Sequence, residues 1–190
     1  MDLRELDRRS LLVLDKIVAT VTPADLTRPT PCAGWTLEDL LRHQVGENHG
    51  FATAAREGSA PNWEGGPLGD DPYRTYAASV DDFLDTFADD AVLDRQLAIS
   101  VFGTFPGRMA IHMHLVDTVA HGWDLARTLE LPYEPDDEAV SAALTLAEQI
   151  PDQGREERGA FAPIVQVPAD AGDLDRFLAL LGRSPGWSRP

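Results

Sequence analysis

Apolar residues recur along the chain at the three- and four-residue spacing that is typical of amphipathic helices. The pattern predicts helices over residues 2–21, 36–57, 72–88, 106–129, 135–149 and 171–182. Thr36, followed three residues later by Asp39, is an aspartate variant of the capping box and predicts the start of the second helix. Four long amphipathic helices and few strands predict an all-α helical bundle.

The segments between these helices are rich in proline and glycine. Residues 23–35 contain three prolines and one glycine, which indicates a loop with a defined path that carries Cys32 and Trp35. Residues 58–72 predict a mobile loop that could cover an open site. Residues 98–102 could form a short extended piece, and residues 161–168, bounded by prolines, an extended segment across the bundle.

Composition narrows the class of protein. The 190 residues suggest one domain, 1–190, and the formal net charge of −16 argues against nucleic acid and anionic membrane surfaces as partners. The sequence contains no run of 18 apolar residues, so it predicts no transmembrane helix. The charged N-terminus lacks an apolar signal core, so we expect a cytoplasmic protein. Cys32 is the only cysteine, which excludes an internal disulfide.

The clearest chemical signal lies in the fourth predicted helix. Asp117 and His121 stand at i and i+4, a spacing that places two side chains on one helix face, where both can bind one divalent ion. His114 lies near the same stripe but about 10 Å from His121 along the axis, so it is a poorer partner. Apolar neighbours frame the stripe, which favours a metal site over a solvated face.

A metal site needs a third ligand, and few other residues qualify. His43, on the second predicted helix, is the candidate. Glu47, one turn after His43, and His114 are possible contacts of the ligands or of a substrate. Cys32 could be a nucleophile, but no cation or base flanks it in sequence, so a small structural residue is the better interpretation. Arg108, shortly before Asp117, could meet an anionic substrate.

Four segments of the chain carry a resemblance to a known family. They are residues 29–36 (Pro-Thr-Pro-Cys-Ala-Gly-Trp-Thr), 39–43 (Asp-Leu-Leu-Arg-His), 117–126 with their His-Gly-Trp-Asp-Leu-Ala, and 182–187 (Gly-Arg-Ser-Pro-Gly-Trp). The chain resembles the actinobacterial metal-binding branch of the DinB-like superfamily. That branch is related to the N-terminal domain of mycothiol-dependent maleylpyruvate isomerase.

The resemblance implies a fold and a ligand set. The fold is an up-down-down-up four-helix bundle with a metal ion between its helices, and the matching ligands are His43, Asp117 and His121. The isomerase typically has glutamate where this chain has Asp117, one methylene shorter. Asp124 follows in the motif as a candidate hydrogen-bond partner of a ligating histidine, or a structural residue, whereas core packing explains Trp123 at least as well.

Three hypotheses about function follow from these expectations. The first is a metal-dependent enzyme that uses a mycothiol-type thiol for transfer or isomerisation of a small electrophile, with hydrolysis by a metal-activated water as a variant. The second is a non-catalytic metal-binding or stress-response protein with a structural or vestigial site. A third hypothesis, a plain helical interaction domain, requires the histidines to be incidental.

Zinc is the first choice of metal, and nickel, iron and manganese also suit the ligands. The isomerase has a second domain where this sequence ends, which argues against that specific isomerisation. An apolar bundle face could support a homodimer.

Overall fold

The computed structural model describes residues 2–152, 155 and 161–189 and builds them mainly from helices. The α-helices are α1 (Leu3–Val18), α2 (Leu37–Glu57), α3 (Pro72–Phe87), α4 (Gly107–Leu129), α5 (Asp137–Ala147) and α6 (Asp173–Leu180). Short 3₁₀ turns occupy Pro23–Asp25 and Asp90–Asp94. The all-α class predicted from the apolar pattern is confirmed.

The capping box predicted at the start of α2 is present. The Asp39 N–H donates to Thr36 Oγ1 over 3.3 Å, and the Thr36 N–H donates to Asp39 Oδ2 over 2.9 Å. These bonds satisfy backbone groups that have no partner inside the helix. The cap fixes where α2 begins and therefore the direction in which His43 projects, about two turns later.

Contacts between helices fix their relative directions. Helices α1 and α4 run parallel, as do α2 and α3, whereas α2 and α4 run antiparallel. The contacts that show this are Asp7–His114 and Leu14–Gly122 between α1 and α4, Asn48–Ser79 and Arg56–Thr86 between α2 and α3, and Gln44–Asp117 and Asn48–His114 between α2 and α4. With α1 and α4 pointing one way and α2 and α3 the other, the bundle has the up-down-down-up order that the resemblance implied.

A buried polar network at the centre of the bundle takes one side chain from each of these four helices. His114 on α4 has Nδ1 2.8 Å from Asp7 Oδ2 on α1 and Nε2 2.9 Å from Asn48 Oδ1 on α2. Asn48 Nδ2 in turn donates to Ser79 Oγ on α3 over 2.9 Å. The ring of His114 also stacks on Phe83, with centroids 3.8 Å apart. All four helices are therefore joined by specific polar contacts as well as by apolar packing.

A β-hairpin precedes α4 where the sequence predicted only a short extended piece. Strands β1 (Gln96–Ile99) and β2 (Gly103–Pro106) pair antiparallel, with Gln96 opposite Pro106 and Ile99 opposite Gly103. Leu97 and Ile99 are buried against the bundle, while Val101 at the turn is exposed. Strands of four residues are too short to give a period that stands out from the flanking loops.

The C-terminal part packs outside the four-helix core. Helix α5 lies on α4, and α6 lies on α5. Residues 162–168 form neither helix nor ladder, and the Val165 N–H donates to the Ala179 carbonyl over 3.0 Å, so the predicted extended segment lies against α6. Among the described residues, no helix is long and apolar enough to cross a membrane. The single-domain extent and the homodimer stay predictions.

Candidate metal centre

The structure brings together the three residues that the sequence proposed as ligands. His43 Nε2 and His121 Nε2 each lie 3.3 Å from Asp117 Oδ1. The two imidazole rings meet edge to face with centroids 4.8 Å apart, and one potential ligand atom from each residue lies within 4.8 Å of the others. Two imidazole nitrogens and a carboxylate oxygen form a common donor set for a divalent transition metal. Metal binding by these residues stays a prediction.

Two further residues of α2 surround the carboxylate of Asp117. Gln44 Nε2 donates to Asp117 Oδ2 over 2.6 Å, which leaves Oδ1 to face the two histidines. Glu47 Oε1 lies 4.0 Å from His43 Nδ1. Burial, with added repulsion from Asp117, raises the pKa of Glu47 to about 8. Glu47 therefore lies beside the cluster, as the sequence suggested, and Gln44 is a contact that the sequence analysis missed.

The charges of the cluster are strongly coupled. Burial alone would raise the pKa of Asp117, but the neighbouring charges of His121 and His43 outweigh it and hold that pKa well below its ordinary value. Burial alone would lower the pKa of His121, but Asp117 outweighs it and raises that pKa well above the ordinary value. Asp117 is therefore ionised, and a metal ion would have to displace the proton of His121, because only a neutral imidazole binds metal.

Asp124 contacts the side of the His121 ring that points away from Asp117 and His43. Asp124 is fully buried, and its Oδ2 lies 2.8 Å from His121 Nδ1. An ionised carboxylate only accepts hydrogen bonds, so Nδ1 of His121 is the donor. The other nitrogen, Nε2, consequently faces Asp117 and His43. This is the arrangement that usually orients a ligating histidine, and it agrees with the position expected for Asp124.

Arg183, from the segment after α6, completes the contacts behind His121. Its Nε lies 3.1 Å from Asp124 Oδ1, and its Nη2 donates to Asp124 Oδ2 over 2.8 Å. Burial alone would raise the pKa of Asp124, but the guanidinium outweighs it and lowers that pKa to about 2. The sequence analysis did not name Arg183 as a site residue. Its only signal was its place in the Gly182–Trp187 motif.

The surroundings of Cys32 differ from those that the sequence suggested. Its Sγ donates to Asp124 Oδ2 over 3.3 Å and lies 4.0 Å from His121 Nδ1 and 3.7 Å from Arg183 Nη2. The statement that no cation or base flanks Cys32 holds along the sequence but not in space, because Arg183 and His121 come from distant parts of the chain. Cys32, His121 and Asp124 form a second group with metal-ligating atoms, but Arg183 already places a positive charge there, which disfavours a cation.

Two candidate residues lie outside the cluster. His114 belongs to the polar network in the bundle interior, where Asp7 and Asn48 use both of its ring nitrogens. Arg108 lies on the exposed surface and pairs with Asp94. Neither side chain contacts the His43–Asp117–His121 cluster in the described structure, so a role in that site finds no geometric support.

A groove opens beside the cluster and gives it access to solvent. It has a volume of about 410 Å³, and its lining includes His43, Trp35, Trp63 and Arg42. The Trp35 ring lies nearly parallel to that of His121, with centroids 6.3 Å apart, and 5.1 Å from the ring of His43. Two indoles and a few polar groups beside a ligand cluster are typical of a small-molecule site.

The far wall of the groove is the loop that the sequence analysis expected to be a mobile cover. Here the loop backbone lies directly on α2, because glycines allow close approach. A Cβ on Gly46 would lie 2.4 Å from the Trp63 carbonyl oxygen, and one on Gly50 would lie 2.5 Å from the Trp63 ring. Arg42 Nη2 also donates to the Gly65 carbonyl over 3.1 Å. The loop is therefore a wall held on α2 by its backbone and by the Trp63 ring.

We expect Gly65→Ala to displace this wall. A Cβ on Gly65 would lie 1.8 Å from the Arg42 carbonyl oxygen, so the loop must move away from α2. The expected loss of stability is about 1–3 kcal/mol, which a lower melting temperature would show. Tryptophan emission should also shift to the red, because the Trp63 ring moves away from Gly50 and into solvent. Gly66→Ala is the matched control, because a Cβ there meets nothing within 4 Å. Equal melting temperatures for the two variants would contradict the prediction.

Comparison with known proteins identifies the fold and the family of the chain. Two uncharacterised proteins from two strains of Mycobacterium tuberculosis are each 28% identical to this chain over 177 residues, covering 88% of it and 90% of the relative. Crystal structures of the mycothiol-dependent maleylpyruvate isomerase, including a histidine-to-alanine mutant, share the fold with a TM-score of 0.62 at 16% identity, over 85% of this chain and 74% of theirs. The family model described as the mycothiol maleylpyruvate isomerase N-terminal domain matches residues 8–126. Because that match spans most of the bundle, including His43, Asp117, His121 and Asp124, the chain belongs to the mycothiol maleylpyruvate isomerase N-terminal domain family.

Proposed function

We propose that His43, Asp117 and His121 bind one divalent metal ion, with zinc as the first choice and nickel, iron or manganese as alternatives. The observation that carries the proposal is the convergence of two Nε2 atoms on the same oxygen, Asp117 Oδ1, at 3.3 Å each. Nε2 of each ring faces the shared carboxylate, and Asp124 takes up Nδ1 of His121. The donor set fits a transition metal ion in number, chemistry and orientation.

We further propose that the site is catalytic and acts with a low-molecular-weight thiol of the mycothiol type on a small electrophile, by transfer or isomerisation. A metal ion with three protein ligands keeps an open position, where it lowers the pKa of a bound thiol or water. Similarity to a mycothiol-dependent enzyme supports the thiol. The protein's own part is to orient the Asp117 carboxylate through Gln44 and the His121 imidazole through Asp124, and to receive the substrate in the groove between Trp35 and Trp63.

The alternative is a non-catalytic metal site. Structural zinc sites are usually closed by four protein ligands. Here three ligand atoms converge, and His43 lines an open groove. The access from solvent favours the catalytic function over the structural one.

Cobalt substitution tests both parts of the proposal. Metal-free protein, purified without an affinity tag, is titrated with Co²⁺ and then with mycothiol, alongside Asp117→Asn. We expect about one Co²⁺ per chain with a visible d–d spectrum, and at least about tenfold weaker binding by the variant. Mycothiol should add a sulfur-to-cobalt charge-transfer band in the near ultraviolet.

The outcomes separate the two claims. If wild-type protein binds no Co²⁺, or if Asp117→Asn binds it equally well, the metal site is wrong. If Co²⁺ binds but mycothiol adds no charge-transfer band, the thiol function is wrong, and hydrolysis by a metal-activated water or the non-catalytic site takes its place.

A further inference from the structure

The chain after α6 turns back sharply toward the metal centre. The Gly182 N–H donates to the Ala179 carbonyl over 3.0 Å, and the Arg183 N–H donates to the Leu178 carbonyl over 2.9 Å. Gly182 has a left-handed φ of 81° and packs so closely on Ala162 that a Cβ would lie 2.6 Å from the alanine Cβ. Only glycine accommodates both conditions without strain. This turn directs Arg183 back to the bundle, against α4.

The guanidinium of Arg183 meets a carboxylate that is entirely buried. Arg183 Nε lies within 3.1 Å of both oxygens of Asp124, and Nη2 donates to Oδ2 over 2.8 Å. The side chain of Arg183 is 12% exposed and that of Asp124 is 0% exposed. A two-point contact between a planar guanidinium and a carboxylate fixes the angle of the carboxylate as well as its position.

That angle decides how His121 is presented. Asp124 Oδ2 is the oxygen that accepts from His121 Nδ1, over 2.8 Å, and the same oxygen accepts from Arg183 Nη2. A rotation of the Asp124 carboxylate would break the bond to Nδ1 and free the imidazole to turn. With the carboxylate held, Nε2 of His121 stays directed at Asp117.

We propose that Arg183 is a positioning residue of the metal centre. Acting through Asp124, it holds His121 with Nε2 toward the ion, so the C-terminal segment is part of the site although it supplies no ligand. This inference rests on the proposed metal site. The alternative is that Arg183 only anchors the segment after α6 to α4, in which case its loss lowers stability and leaves the presentation of His121 unchanged.

The test compares Arg183→Met and Arg183→Lys with Arg176→Met. Arg176 is the matched control, because it lies on α6 but pairs at the surface with Glu148 and Asp173. Zn²⁺ affinity is measured by competition with a chelator. We expect Arg183→Met to bind Zn²⁺ about 10- to 100-fold more weakly, the usual effect of losing a contact behind a ligating histidine. Arg183→Lys keeps the charge without the planar two-point contact and should fall between, while Arg176→Met should match wild type.

A second readout does not depend on metal. In metal-free protein, the His121 Nδ1–H proton should give a protected NMR signal in wild type that is lost in Arg183→Met and kept in Arg176→Met. Thermal melting checks that each variant is folded, and Arg183→Lys replaces Arg183→Met if the latter is not. Unchanged Zn²⁺ affinity and an unchanged Nδ1–H signal in the folded variant would overturn the inference. If wild type binds no Zn²⁺, the metal site fails, and the NMR signal alone decides whether Arg183 positions His121.

Discussion

Replacing His121 with alanine should lower the metal content of the purified protein from about one ion per chain to below about 0.1. His121 is the ligand candidate with the most complete support, since Asp124 holds its Nδ1 and leaves Nε2 facing Asp117. Without it, a single imidazole and a single carboxylate remain, which is too small a set to retain a transition metal through purification. The bundle should stay folded, because Asp124 keeps its bidentate partner Arg183.

Elemental analysis of protein purified without an affinity tag measures this loss. His49→Ala is the matched control. His49 lies on the exposed side of α2, away from the cluster, with its Nδ1 2.8 Å from Asp82 Oδ2. We expect the control to keep the metal content of wild type. Equal metal in His121→Ala and wild type would contradict the prediction, as would negligible metal in all three proteins.

The second large effect concerns stability and not metal. Replacing His114 with leucine should destabilise the protein by about 3 kcal/mol. His114 and Asp7 are each 1% exposed, and the 2.8 Å contact between His114 Nδ1 and Asp7 Oδ2 lies at the centre of the bundle. Without the imidazole, this buried oxygen loses its hydrogen-bond donor, and Oδ1 of Asp7 already has none among the described residues. The melting temperature should fall by about 10 °C or more.

The double variant Asp7→Leu/His114→Leu separates this cause from simple loss of packing. Replacing both members of a buried pair with apolar residues often restores stability, so the double variant should melt above His114→Leu. Its metal content should equal that of wild type, because the network lies apart from the cluster. A double variant less stable than His114→Leu would mean that the stranded carboxylate is not the cause.

Local patterns predicted the fold well because helix formation leaves local traces. The apolar period places the main helices within a few residues of their observed ends, and the Thr36–Asp39 box marks the start of α2. The hairpin before α4 was missed because four-residue strands carry too little pattern, and its burial depends on contacts with the bundle. The resemblance, rather than any pattern, supplied the order of the helices.

The site was only partly predictable for the same reason. Asp117 and His121 are four residues apart on one helix, so their spacing alone indicated a shared ligand. His43 needed the family resemblance. Arg183 contacts Asp124 across 59 positions, and a contact of that range leaves no local trace. His114, which its distance from His121 had already made a poorer ligand, has a partner that the sequence could not indicate, because Asp7 lies 107 positions away.

The glycine contacts between the loop and α2 have a consequence for how this family could diversify. The wall of the groove is held by main-chain contacts at Gly46 and Gly65 and by the Trp63 ring on Gly50. Apart from Trp63, its position therefore depends little on which side chains line the opening. Residues such as Glu64 can be exchanged without moving the wall or the ligands on α2 and α4. Under the proposed function, the arrangement would separate the backbone that sets distances from the side chains that contact a substrate, so those side chains can be exchanged while the framework stays constant.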